Sequence, residues 1–106
     1  MDNGVSILKI AGAMARHAGH LHQVTASNIA RADIPGARQA RIESFELSLA
    51  ELERGGEPRS SMSEAPLELE RELLTMAEAR GRHDAALAVW KSTLTMMRLA
   101  AGAPQA

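Results

Sequence analysis

The sequence predicts an all-α protein: two long helices at the N- and C-terminal ends pair as an antiparallel, coiled-coil-like hairpin around a short irregular middle that holds one short helix. Three observations carry this. Apolar residues recur at alternating spacings of four and three over residues 7–32 and again over 69–101, the signature of a helical seam. Between those stretches lie the chain's helix breakers, Pro35-Gly36, Gly55-Gly56, Pro58 and Pro66. Only 2% of the 106 residues are aromatic, and the apolar content is largely Ala, Leu and Met, which are helix formers suited to narrow seams between helices.

The first helix is expected to span residues 1–32, capped at Asp2 or Asn3, with Ile7, Ala11, Met14, Ala18, Leu21, Thr25, Asn28 and Ala32 as its seam. Val5, Leu8, Ile10, Val24 and Ile29 widen that stripe, so the helix should have more than one partner. It stops where Pro35 lacks the N–H of a helix interior and Gly36 accepts positive φ without steric cost. Ser27, Asn28 and Asp33 are short polar residues able to bond nearby backbone, which suits a chain reversal.

The middle comprises residues 33–65. Ala37 to Ile42 is polar and aperiodic, an extended segment without regular structure. Ser44 caps a short helix with Phe45, Leu49 and Leu52 on one face, ended by Gly55-Gly56. Residues 57–65 read as a loop.

A second long helix is expected over residues 66–102, with Pro66 as its first residue and a seam of Leu69, Leu73, Met76, Arg80, His83, Leu87, Trp90, Leu94, Met97 and Ala101. Glutamates occupy its early turns, on a face taken as solvated, and Lys91 and Arg98 lie near its end, as the helix dipole prefers. Gly81 costs about 1 kcal/mol relative to Ala inside a helix, so a local weakness or a change of partner is expected there. Residues 103–106 should fray.

A net charge of −1 with the two signs interspersed provides no field for drawing in nucleic acid or an anionic membrane. No run of about 18 apolar residues is present, and Met1-Asp2-Asn3-Gly4 lacks the basic start of a secretory signal. With no cysteine there is neither a disulfide nor a thiolate metal site. His17 and His20 share a helix face, but His22 does not join them and no carboxylate stands nearby at ligand spacing, so no metal is expected and the histidines are read as partner contacts. No Ser/His/acid set and no phosphate-cradling glycine loop occur, so neither an enzyme nor a cofactor is expected.

Ser27-Asn28-Ile29-Ala30-Arg31-Ala32-Asp33-Ile34-Pro35-Gly36 resembles the motif Ser-Asn-x-Ala-Asn-x-x-Thr-Pro-Gly of bacterial flagellar rod proteins, with Arg38 also in keeping and Arg31, Ile34 and Ala37 departing from it. Ile42-Glu43-Ser44-Phe45 resembles the segment that follows the motif in the FlgB family of proximal rod proteins, and the stretches 69–72, 76–78 and 82–85 resemble that family's C-terminal helix. The resemblance implies a structural subunit of the basal-body rod that polymerises with other rod proteins, contacts the membrane-ring and export-gate base, and reaches the periplasm by type III export without a cleavable signal. On that resemblance Ser27, Asn28, Ala30, Asp33, Pro35 and Gly36 are the motif residues. Leu21, Leu73, Met76, Leu87, Trp90, Leu94 and Met97 are the expected interface residues along the two seams.

The competing reading is a small helix-turn-helix DNA-binding regulator, with residues 38–42 as recognition helix. It lacks a glycine early in the turn and a basic surface.

Overall fold

A computed structural model describes residues 2–54, 56 and 58–102. The element order is α1 (Asp2–Ala30), β1 (Arg38–Ile42), α2 (Phe45–Glu53), β2 (Ser60–Pro66) and α3 (Leu69–Ala100). The two long helices pack antiparallel, and α1 also carries β1 and α2, so it does have more than one partner. The molecule measures 59 × 30 × 15 Å. Its radius of gyration of 17.1 Å exceeds the roughly 13 Å of a compact chain of this length.

The hairpin core is built from small residues. Ala11, Ala18 and Thr25 on α1 are buried, seven residues apart, and Ala79, Ala86 and Thr93 repeat the same step on α3. Gly4 extends the α1 series, and a Cβ there would come within 3.1 Å of the Met97 sulfur. Eight residues further in, a Cβ at Gly12 would stand 3.3 Å from the Trp90 ring. Large side chains of α3 thus lie over glycines of α1, while small residues meet along the line of closest approach.

This corrects half of the seam expected for α3. Met76, His83 and Met97 are half-buried as expected, but Leu73 and Leu87 are exposed, as are Leu69, Arg80 and Ala101, and Trp90 is 37% exposed although its ring lies over Gly12. Their places are taken one residue earlier by Glu72, Ala79 and Ala86, with Thr93 buried ahead of a half-buried Leu94. The reason is steric. Helices that approach over Gly and Ala leave no room for Leu at the centre, so the leucines turn to the flanks and small residues enter. On α1 the seam is Ala11, Ala18, Thr25 and Asn28, with Leu21 half-buried, whereas Ile7 and Met14 are exposed.

Ser44 caps α2 as expected, its Oγ accepting from the Leu47 N–H at 3.4 Å. After α2 the Gly56 N–H bonds the Glu51 carbonyl at 2.8 Å, while Gly55 and the Leu52 side chain lie outside the described residues. The middle segment is more regular than expected. Residues 38–42 and 60–66 form a two-stranded antiparallel sheet, β1 against β2, with Arg38 facing Pro66, Ala40 facing Met62, and a register shift between them. The loop expected over 57–65 is therefore largely strand, and residue 57 lies outside the described residues. Pro66 ends β2 instead of starting α3. Its neighbour Leu67 still donates to the Ala37 carbonyl, which holds the chain extended until Leu69. Helix α3 runs through the exposed Gly81 without a break, and it closes at Gly102 with φ +74°. Residues 103–106 lie outside the described set.

Candidate functional site

Just after the last turn of α1, the chain reverses through Ile34-Pro35-Gly36-Ala37. The Ala37 N–H bonds the Ile34 carbonyl at 3.1 Å, and Gly36 has φ +77°. Proline in the second place and positive φ in the third make this a type II turn, the geometry that pairs Pro with Gly. Ile34, Pro35, Gly36 and Asp33 are all exposed, as are Ser27 and Ala30. Only Asn28 of the motif residues is buried.

Asn28 uses every hydrogen-bonding position of its amide. Its Nδ2 donates to the Ala40 carbonyl at 3.0 Å and to Glu72 Oε1 at 2.6 Å. Its Oδ1 accepts from the Ala40 N–H at 3.0 Å and from Arg31 Nη2 at 2.8 Å. Because both backbone groups of Ala40 are bonded, the side chain takes the place of a third strand beside β1. Glu72, also buried, accepts at its other oxygen from Gln39 Nε2 at 2.7 Å. No buried side-chain nitrogen or oxygen among the described residues lacks a partner. A polar hub of this kind is stabilising only when it is fully bonded, since each orphaned group costs about 1–3 kcal/mol.

Two further residues, His17 on α1 and Arg31 just beyond its end, tie down the middle segment. Arg31 Nη1 donates to the Arg38 carbonyl at 3.1 Å, so one of the three residues that depart from the motif bridges the turn from before it to after it. His17 is buried, bonds the Glu43 carbonyl at 2.8 Å through Nε2, and meets Phe45 edge-on with ring centroids 5.7 Å apart. The expectation that His17 contacts a partner is corrected: it is an internal clamp on the β1–α2 junction. Likewise Glu72 does not lie on a solvated face. Nothing in the sequence singles out Glu72 or Gln39: the apolar repeat places Leu73 in the seam and leaves Glu72 beside it.

The seam residues divide into two groups. Trp90 and Met97 lie over Gly12 and Gly4 of α1, and Met76 and Leu94 on α3 and Leu21 on α1 are half-buried. Leu73 and Leu87 face outward. They join exposed Leu69, Leu74, Met96 and Leu99 on α3 and Val5, Ile7 and Ile10 on α1. The accessible surface is 7417 Å², against about 5,700 Å² for a compact monomer of this mass.

Among the described residues no three His, Cys, Asp or Glu side chains are grouped to hold a metal ion, and no helix is long and apolar enough to cross a membrane. Residues 38–42, which a helix-turn-helix would need as recognition helix, form β1, with Arg38 paired to Glu64 and Arg41 to Gln39. Comparison with family models, with curated proteins and with solved structures returned no match for this chain.

Proposed function

We propose that the chain is a structural subunit of the bacterial flagellar basal-body rod, of the proximal kind, which polymerises with other rod proteins into the helical shaft that crosses the periplasm. The observation that carries this reading is the run of exposed apolar residues on the outer faces of two long paired helices, in a molecule too extended to cover them itself. Exposed leucines in number mark a surface that another protein covers. A contact between two different faces, repeated with a rotation that does not close, builds a helical filament. The rod motif supports the same reading, because its asparagine is the hub that holds the middle segment to the helices and its Pro-Gly pair forms the turn that directs the chain there. In this role the chain is not an enzyme and needs no cofactor. Its partners are other rod subunits, further copies of itself, and the membrane-ring and export-gate base.

The test is genetic and structural. Cells lacking the chain are expected to be immotile and to build basal bodies that stop before the rod, and a tagged chain that restores swimming should map to the rod in cryo-EM images. Intact rods and normal swimming without the chain would overturn the proposal. A titration against mixed DNA duplex is expected to give no salt-sensitive binding tighter than about 10⁻⁶ M, and tighter binding would favour the regulator.

A further inference from the structure

We infer that the Asn28–Glu72 pair is a register lock, which selects the observed pairing of α1 with α3 over a second one displaced by a heptad. The seam does not make that choice. Gly4, Ala11, Ala18 and Thr25 on one side and Ala79, Ala86 and Thr93 on the other repeat at seven-residue steps, so sliding one helix by seven sets small residues against the same kind of neighbour.

Glycine positions make the displaced pairing concrete. Trp90 now lies over Gly12, where a Cβ would be 3.3 Å from its ring. Seven residues along α1 is Gly19, exposed and with nothing within 4 Å of where its Cβ would be, so α1 offers a second seat of the same kind that stands open. A slide of α3 by one heptad, about 10 Å toward the C-terminal end of α1, carries Trp90 from the first seat to the second. The same slide brings Met97 from Gly4 to Ala11, one methyl more, which a flexible thioether side chain accommodates.

What forbids the slide is polar. Asn28 spends all four of its hydrogen-bonding positions in the observed register, and Glu72 spends both oxygens. Displacement would separate them and strand buried donors and acceptors. A buried polar residue at one seam position fixes register in coiled coils by this means, and replacing it with an apolar residue keeps the helices paired while freeing the register. The hub also reaches Gln39 and Ala40, so it ties the position of the β1–β2 arm to the register of the helices.

The native chain has no cysteine, so paired spin labels can be placed freely. Cysteines introduced at the exposed Ala26 and Ser92, one on each helix, carry nitroxides, and labelled full-length chain is diluted into excess unlabelled chain so that only distances within one molecule are read. The native pair should give one distance. N28L with E72L should retain helicity by circular dichroism and add a second population with the labels closer by up to about 10 Å, since Ser92 moves toward Ala26. Adding Gly19→Leu, which fills the second seat, should remove that population. A single native distance in the N28L/E72L chain would overturn the lock. So would loss of helicity in that chain, because the pair would then be required for pairing itself, and so would a second population that survives Gly19→Leu.

Discussion

Gly36 and Gly81 test opposite consequences of the same substitution. Both have nothing within 4 Å of the place a Cβ would occupy, so neither Gly→Ala change meets a clash. The backbone alone then sets the sign. At Gly36, φ is +77°, where an L side chain crowds its own carbonyl, and alanine costs about 1 kcal/mol. At Gly81 the chain is helical and the position exposed, so alanine removes the conformational freedom that glycine has in the unfolded chain and gains about 1 kcal/mol. For a domain of this size each corresponds to about 5 °C in melting temperature, downward for Gly36→Ala and upward for Gly81→Ala. The two sites share no partner, so the double variant should melt close to the native chain. Thermal melts and urea unfolding followed by circular dichroism measure all four proteins. A neutral Gly36→Ala would mean that the Pro-Gly turn does not hold positive φ. A destabilising Gly81→Ala would mean that this helix surface is covered by something the single chain lacks.

Three other substitutions separate the hub, the outer surface and the turn. Glu72→Gln puts an amide N–H₂ among donors, since both Glu72 oxygens accept from amides, and Asn28 cannot turn over without losing Ala40; urea unfolding should show a loss of about 1–3 kcal/mol, and an unchanged midpoint would refute the acceptor role. Leu73→Glu with Leu74→Glu changes two exposed residues, so monomer helicity should hold while sedimentation velocity shows weaker self-association; equal association would place the assembly surface elsewhere. Pro35→Ala with Gly36→Ala removes both residues that the type II turn requires, and cells carrying it are expected to export the chain yet remain immotile, whereas normal swimming would reduce the motif to a helix stop.

The two helices, the stop at Pro35-Gly36 and the cap at Ser44 were legible in the sequence because each depends on residues within a few positions of one another, and the antiparallel pairing was legible because each helix carries an apolar seam that needs a partner. Periodicity, a missing N–H and a capping hydroxyl act locally, and local signals survive without knowledge of the fold. What the tertiary structure decided is of a different kind. Whether Leu73 or Glu72 enters the seam depends on residues of α1 more than forty positions away, and hydrophobicity alone names the wrong one. The sheet was hidden for the same reason: Arg38–Ile42 and Ser60–Pro66 are polar strands separated by a helix, with no hairpin turn to announce their pairing. Their regularity rests on side chains of His17 and Asn28 on α1 and of Arg31 just beyond it, which bond the backbone from Arg38 to Glu43. In the sequence Asn28 was a seam residue and a motif letter, and Glu72 one acid among several. Only the approach of α1, α3 and β1 at a single point makes them partners, since a buried carboxylate and a buried amide are tolerable nowhere but beside each other's complement.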